Sequence, residues 1–206
     1  MFVAAGWLIA SYLLGAIPTS YLAGRLFRRI DLREHGSRNL GATNVYRVMG
    51  WRYAIPVGLF DVAKGTIPVV LFGPRVPAVA LFPVFCGLAA VIGHTLSVFV
   101  GFKGGKGVAT ASGVVLGLAP WALGIVALVW GLVVWLTGYV SLGSIIGAAL
   151  FPVAAQILHP GRPEPLWVDI LLAGFLIWKH RSNIQRLLQG KENRFGRHRP
   201  AEATRP

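Results

Sequence analysis

Residues 107–136 read GVATASGVVLGLAPWALGIVALVWGLVVWL, and none of these thirty positions is Asp, Glu, Lys or Arg. A helix of roughly 20 apolar residues crosses the hydrocarbon layer of a bilayer, which is about 30 Å thick. The segment is too long for one ordinary span, and Pro120 followed by Trp121 predicts a break between two shorter helices. A segment of this kind indicates a membrane protein.

The rest of the chain has the same character. Hydrophobic residues make up 55% of the 206 positions and charged residues 13%, about half the charged fraction of an ordinary globular protein. Further apolar runs occupy residues 2–27, 51–72, 77–99, 139–158 and 166–178. With the two helices of 107–136 they predict an all-α integral membrane protein, with about seven transmembrane helices, short loops and a single domain over residues 1–206.

The basic residues predict the orientation. Of the 20 Lys and Arg residues, seven lie at 25–52, two at 103–106 and eight at 179–205. With seven spans these 17 share one face, whereas Arg75 and Arg162 lie on the other. The positive-inside rule assigns the basic face to the cytoplasm, so we expect the amino terminus outside and the carboxyl terminus inside. The net charge of +13 then fits anionic lipids and phosphorylated ligands rather than nucleic acid.

A first polar segment on the basic face is GSRNLGATN at 36–44, followed by Arg47. Small and hydroxyl residues allow backbone amides to approach an anion closely. A helix that begins near Ala42 would direct its first amides at the same anion. A tight polar turn capped by Asn and Ser has the same composition. The spacing alone leaves these two interpretations equally open.

A second polar segment, GFKGGKG at 101–107, carries Lys103 and Lys106. It lacks the spacing of a Walker loop, but two cations on a flexible backbone suit a phosphate group. The alternative is an ordinary positive-inside loop. Because Lys satisfies that rule without flanking glycines, we favour ligand binding.

The third polar segment is WKHRSNI at 178–184, which closes the last apolar run. His180 and Asn183 are three residues apart and so share one face of a helix. The alternative is a helix end whose cations meet lipid headgroups and the helix dipole. For His94, which follows Gly93, a packing role is slightly favoured.

Two ionisable residues, Asp61 and Lys64, lie three apart inside the 51–72 run. Buried ionisable groups in a bilayer either neutralise each other or face a polar cavity, and the sequence leaves both open. The sequence contains neither a His/Cys cluster with zinc spacing nor an acidic cluster suited to magnesium. We therefore expect a site without metal or cofactor that acts on anions.

Taken in order, these motifs resemble the PlsY family of acyl-phosphate:glycerol-3-phosphate acyltransferases. One departure is Arg38, where the family pattern has Gly. The matching segments are GAIP at 15–18, GSRNLGATN at 36–44 with Arg47, DVAKG at 61–65, GH at 93–94, FKGGKGVAT at 102–110, and KHRSNIQRLLQG at 179–190 with Glu192.

The resemblance implies transfer of a fatty acyl group from acyl phosphate to the sn-1 hydroxyl of glycerol 3-phosphate. The products would be lysophosphatidic acid and phosphate, in the first acylation step of bacterial phospholipid synthesis. The implied location is the bacterial plasma (inner) membrane, with the chemistry on the cytoplasmic side. The implied partners are both substrates and membrane lipids, with a functional link to the enzyme that makes acyl phosphate.

The resemblance also implies site residues. Ser37, His180 and Asn183 would be catalytic, with Glu192 structural. The proton of the acceptor hydroxyl has two possible destinations, His180 and a substrate phosphate, and we prefer the phosphate. The acyl phosphate would be bound by Ser37, Asn39, Gly41, Ala42, Thr43 and Asn44. The glycerol 3-phosphate would be bound by Arg47, Lys64, Lys103, Lys106, His180 and Asn183.

A transporter for a phosphorylated small molecule is the alternative from another class. It would share the cationic loops and the Asp61/Lys64 pair. It would also show repeat symmetry, with polar groups near the middle of the membrane in both halves, and the charge-free segment 107–136 argues against this. A purely structural membrane protein ranks third, because it would not need three clustered glycine and cation motifs.

Overall fold

The computed structural model describes residues 2–161, 163 and 165–195, and every regular element in this part is helical. A π-helical turn, Pro68–Phe72, and a 3-10 turn, Gly73–Arg75, extend the helix Trp51–Ile67, and a second 3-10 turn, Val98–Val100, follows the helix Phe82–Thr95. The all-α prediction is thereby confirmed. The ten α-helices of the described residues are α1 (Phe2–Ala16), α2 (Thr19–Arg28), α3 (Ala42–Met49), α4 (Trp51–Ile67), α5 (Phe82–Thr95), α6 (Val108–Leu118), α7 (Pro120–Thr137), α8 (Val140–Leu158), α9 (Leu166–Lys179) and α10 (Arg181–Leu188).

Several of these helices are long and apolar enough to cross a bilayer. Within the described residues they are Trp51–Arg75, Phe82–Val100, Pro120–Thr137 and Val140–Leu158. A fifth span is formed if α1 and α2, which meet at a 40° bend, are taken together. At 1.5 Å per residue, α6 reaches only about 16 Å and α9 about 21 Å. The chain is a multi-pass membrane protein, and the count of seven spans stays a prediction.

Proline residues mark two of the helix boundaries. The predicted break at Pro120 is confirmed, because α6 ends at Leu118, Ala119 leaves the helical conformation and Pro120 begins α7. The apolar run predicted from residue 77 becomes helical only at Phe82, with Pro83 in the first turn. Proline suits that position because the first amides of a helix have no intrahelical partner.

Glycines set the spacing between neighbouring helices. At four positions a Cβ atom would collide with the backbone of the facing helix, so these pairs pack at close range. The glycines are Gly15 of α1 against α5, Gly93 of α5 against α1, Gly65 of α4 against α6 and Gly113 of α6 against α4.

Two apolar clusters position the polar segments. The larger lies among α5, α6, α8 and α9 and includes Val91, Val114 and Phe151. The smaller packs the 29–41 loop against α2, α3 and α4 through residues such as Leu32 and Val45. The smaller cluster thus folds the first basic segment onto one end of the helix bundle. Of the basic residues counted above, Arg162, Arg197, Arg199 and Arg205 lie outside the described residues.

Candidate active site

A cavity of about 540 Å³ extends from the basic end of the bundle into its apolar interior. Residues from all three polar segments line it, so the structure brings together side chains from segments that lie far apart in the sequence. The polar wall is formed by Ser37, Asn39, Gly41, Ala42, Thr43, Asn44, Arg47, Lys106, Ser141, Ser144, His180, Asn183 and Glu192. The apolar wall includes Val115, Leu123, Val126, Trp130, Phe151, Leu172 and Leu176.

In the first segment, Asn44 holds the loop in place. Its side chain is buried, and Oδ1 accepts a hydrogen bond from the Ser37 amide at 2.7 Å. Its Nδ2 donates to the carbonyls of Leu32, at 3.2 Å, and His35, at 3.1 Å. The amide group is therefore occupied within the loop. Asn44 also lines the cavity, and the contact with the donor phosphate that the resemblance implied stays a prediction.

The helix expected near Ala42 is present, and α3 begins at that residue with Gly41 as an extended N-cap. The Gly41 carbonyl accepts the amides of Asn44 and Val45. The amides of Ala42 and Thr43 belong to the first turn, where helix geometry supplies no intrahelical acceptor. Both residues line the cavity. Their amides, with the positive end of the helix dipole, form a setting that favours an anion.

Arg38 lies in the same loop with a φ of 59°. This left-handed conformation costs a residue with a Cβ atom roughly 1–2 kcal/mol, which gives a physical reason for the Gly in the family pattern. The side chain is exposed and is not part of the cavity wall.

In the second segment, the glycines seat the loop against the end of α5. The Gly104 amide donates to the Thr95 carbonyl at 3.3 Å, and the Gly105 amide donates to the His94 carbonyl at 3.1 Å. A Cβ atom at either glycine would collide with His94. The glycines thus have a packing function. Their presence beside the lysines is explained by this packing and is not by itself a sign of ligand binding.

The two lysines of this segment point to different places. Lys106 lines the cavity, and its Nζ donates to Asn183 Oδ1 at 2.6 Å. Lys103 is exposed and lines a separate recess with Tyr21 and Arg33. The structure therefore does not bring Lys103 to the cavity, in contrast to its expected place beside Lys106.

Lys64 is also absent from the cavity wall. Its Nζ lies 2.7 Å from Asp61 Oδ1 and donates to the Ile17 carbonyl at 2.9 Å, and the side chain is buried. Thr19 donates to the same Asp61 oxygen at 2.6 Å. The structure shows both features that the sequence left open, because the pair is mutually neutralised and Asp61 also lines the cavity. The pair ties α4 to the bend between α1 and α2, while Asp61 and His94 border the cavity.

In the third segment, His180 has a defined tautomer. Its Nδ1 lies 2.8 Å from the Leu176 carbonyl, which can only accept, so Nδ1 carries the proton and Nε2 is free to accept. Burial lowers the pKa of His180 to about 4, with the hydrogen bond to Leu176 opposing the shift and Lys106 adding to it. The ring is neutral at pH 7.

Asn183 is fixed by a carboxylate that the sequence analysis treated as structural. Glu192 Oε1 accepts from Asn183 Nδ2 at 2.8 Å and from Ser141 Oγ at 3.0 Å, and Oε2 accepts from Arg186 Nε at 2.7 Å. Glu192 is itself on the cavity wall. Burial lowers the pKa of Lys106 to about 8, although Glu192 opposes the shift.

Three serines that line the cavity, Ser112, Ser141 and Ser144, were missed by the sequence analysis. They lie in apolar runs, Ser112 in α6 and the other two at the start of α8, where nothing in the neighbouring sequence marks them. Glu192 did have a signal, since it is one of only two acidic side chains, with Glu202, in the basic tail from Lys179 onward. The tail is folded back on α3 by stacking of Phe195 on Tyr46, with ring centroids 4.5 Å apart.

A family model described as glycerol-3-phosphate acyltransferase matches residues 5–190. The chain belongs to the glycerol-3-phosphate acyltransferase family. The relative named glycerol-3-phosphate acyltransferase from Trichlorobacter lovleyi is 47% identical, over 92% of this chain and 96% of the relative. The one from Chlorobaculum parvum is 42% identical, over 91% and 95%.

A solved structure places this family on the same fold. The crystal structure of PlsY, an integral membrane glycerol 3-phosphate acyltransferase, in its glycerol 3-phosphate form, superposes with a TM-score of 0.87. That protein is 40% identical, and the match covers 94% of this chain and 96% of PlsY. The resemblance drawn from the motifs is confirmed, and with it the assignment to acyltransferases of phospholipid synthesis.

Proposed function

We propose that this protein transfers a fatty acyl group from acyl phosphate to the sn-1 hydroxyl of glycerol 3-phosphate, giving lysophosphatidic acid and phosphate. The observation that carries the proposal is a single cavity with two kinds of wall. One end offers cations, amides and hydroxyls, and the other is apolar. A substrate with a phosphate head and a fatty chain matches both ends at once.

The donor phosphate is assigned to the first segment. The amides of Ala42 and Thr43, the Ser37 hydroxyl and Asn39 border the cavity where α3 begins. Neutral donors of this type hold a phosphate without a metal ion. The fatty chain then lies along the apolar wall formed by α6, α7, α8 and α9, beneath the polar end.

The acceptor phosphate is assigned to Arg47 and Lys106, the two cations of the cavity wall. Asn183 holds the Lys106 ammonium at 2.6 Å, so the cation is oriented before substrate binds. Lys64 and Lys103 are left out of this assignment because neither lies on the wall. Bringing two charged phosphates together against their repulsion is the main task of such a site.

In the reaction, the acceptor hydroxyl oxygen bonds to the acyl carbonyl carbon, and the bond from that carbon to the phosphate oxygen breaks. His180 Nε2 accepts a hydrogen bond from the hydroxyl and orients it. With a pKa of about 4, His180 is a weaker base than a phosphate dianion, whose conjugate acid has a pKa of about 6 in phosphoesters. The proton therefore leaves on the departing phosphate.

The proposal includes a cytoplasmic site in the bacterial inner membrane, where the enzyme that makes acyl phosphate supplies the donor. The decisive experiment incubates purified protein with glycerol 3-phosphate and either palmitoyl phosphate or palmitoyl-CoA. We expect lysophosphatidic acid from the acyl phosphate and little from the CoA ester. Ser37→Ala should reduce turnover strongly while the protein stays folded. Equal or faster turnover of palmitoyl-CoA would contradict the proposed donor.

A further inference from the structure

A second recess, of about 330 Å³, opens at the basic end of the bundle beside the loop that carries Lys103. We call it the Lys103 recess, and it is lined by Tyr21, Arg33, Phe99, Val100, Gly101 and Lys103. None of these residues lines the larger cavity. The two lysines of one glycine loop therefore line two separate concave surfaces.

We propose that the Lys103 recess binds the phosphate headgroup of an anionic membrane phospholipid. A phosphate diester carries one negative charge and oxygen acceptors, and Lys and Arg side chains match both features. Basic pockets at the cytoplasmic ends of membrane helices are suited to such headgroups.

The guanidinium of Arg33, one of the cations of the recess, is held in a fixed position. Arg33 Nε and Nη2 donate to the Asp31 carboxylate, the latter at 2.7 Å, and Nη1 lies 3.5 Å from the Val100 carbonyl. The guanidinium also stacks over the Tyr21 ring, 5.0 Å from its centroid. These contacts fix the side chain, and a guanidinium has five N–H donors, so some remain for a headgroup.

The second cation is unused. Lys103 is exposed and forms no hydrogen bond or ion pair with any residue that the structure describes. Arg25 adds a third positive charge, with its guanidinium 5.7 Å from the Tyr21 centroid. Two carboxylates offset part of this positive charge. Asp31 forms an ion pair with Arg33, and Glu34 also interacts electrostatically with Arg33. The recess keeps a net positive charge.

The rim of the recess favours a lipid over a free anion. Phe99, which lines the recess, is 57% exposed, and Phe102, next to Lys103 in the chain, is 59% exposed. Phe102 has a φ of 61°, a conformation that is a genuine outlier for a bulky residue. Side chains of this kind lie in the acyl region or at its interface with the headgroups. A phosphate in the recess would then have fatty chains alongside these aromatic residues.

The experiment measures ligand binding to the full-length protein in detergent by native mass spectrometry, with unfolding temperature as a second readout. The ligands are phosphatidylglycerol, phosphatidylcholine and inorganic phosphate. The variants are Lys103→Ala, Lys103→Arg, and Lys191→Ala, which removes an exposed lysine from the tail. Because the Lys103 side chain is exposed and makes no hydrogen bond or ion pair with a described residue, Lys103→Ala should leave the fold intact.

We expect phosphatidylglycerol to bind more tightly than phosphatidylcholine, and Lys103→Ala to weaken it about fivefold, the effect of one cation near an anionic surface. Lys103→Arg should bind like the wild type, and Lys191→Ala should change little. Unchanged phosphatidylglycerol affinity in Lys103→Ala would overturn the site. Equal losses in the two alanine variants would overturn it too, because they would show only diffuse attraction.

Inorganic phosphate separates the two possible sources of a phosphate group. We expect it to raise the unfolding temperature equally in the wild type and Lys103→Ala, through the larger cavity alone. Stabilisation by inorganic phosphate that depends on Lys103, without selective binding of phosphatidylglycerol, would overturn the lipid assignment. The result does not depend on acyl transfer, since the two cavities share no lining residue.

Discussion

Lys106 Nζ lies 2.6 Å from Asn183 Oδ1, and this contact joins the glycine loop to the first turn of α10 across 77 residues of sequence. The other end of the same amide donates to Glu192. The carboxylate fixes the amide orientation, and the amide in turn fixes the position of the ammonium. If Lys106 binds the acceptor phosphate as proposed, Glu192 acts on that phosphate through two other side chains.

Glu192→Gln should therefore raise the KM for glycerol 3-phosphate by at least about tenfold, the effect of one hydrogen bond to a charged group. A glutamine can accept from Asn183 or from Arg186, but it has one acceptor oxygen where the carboxylate has two. Steady-state kinetics with saturating acyl phosphate measures the change. Glu34→Gln, at an exposed carboxylate, is the matched control. Wild-type kinetics in Glu192→Gln would leave Glu192 with a purely structural role.

The pKa of Lys106 predicts an alkaline limit. Burial lowers that pKa to about 8, and only the protonated ammonium attracts the acceptor phosphate. Binding therefore stays intact below pH 8 and weakens as the pH rises through it, so kcat/KM for glycerol 3-phosphate should fall above about pH 8. In Lys106→Arg the guanidinium stays charged, and the fall should move to higher pH. A limit at the same pH in this variant would exclude Lys106 as its source.

His180 should impose no acidic limit on the rate near neutral pH. With a pKa of about 4 the ring is neutral from pH 5 upward, so its titration should not shape the rate between pH 5 and 8. His180→Ala should lower kcat on the order of 10- to 100-fold, through loss of one hydrogen bond near developing charge, and leave the shape of the pH profile unchanged. His35→Ala, at an exposed histidine, serves as the control. An acidic limit near pH 6.5 that disappears in His180→Ala would identify His180 as the general base.

Local features of this protein were predictable, while long-range pairings were not. The break at Pro120 and the start of α3 at Ala42 follow from backbone chemistry within a few residues. Lys103 and Lys106 are chemically equivalent in the sequence, and the packing of Gly104 and Gly105 on the end of α5 separates them in the structure. The Ser141–Glu192 hydrogen bond spans 51 residues, and no periodicity marks either partner.

Arg38 offers a test of backbone strain. Because its φ is 59°, Arg38→Gly should stabilise the protein by about 1 kcal/mol, as the left-handed conformation costs glycine nothing. The unfolding temperature in detergent should rise. Arg28→Gly is the control, since Arg28 is exposed at the end of α2 in a helical conformation and glycine there should destabilise. A lower unfolding temperature in Arg38→Gly would show that the side chain has a stabilising contact.

The last prediction concerns orientation and the number of spans. The described contacts place both ends of the α6–α7 pair at the basic end, since Lys106 precedes α6 and the Phe195 amide donates to the Gly138 carbonyl, just after α7, at 2.7 Å. Helix α6 must therefore run away from the basic end, and α7 must return to it. The helix Trp51–Arg75 carries Arg75 to the opposite end.

Cysteine labelling measures this arrangement. Cys86 is buried and is first replaced by Ala, and single cysteines are then introduced as Phe2→Cys, Arg75→Cys and Lys191→Cys. An impermeant maleimide should label Phe2→Cys and Arg75→Cys in intact spheroplasts, and Lys191→Cys only after permeabilisation, because the positive-inside rule holds the basic end in the cytoplasm. The unsubstituted Cys86→Ala protein controls for background. Labelling of Phe2→Cys and Lys191→Cys from the same side would require an even number of spans, and the seven-span arrangement would then be wrong.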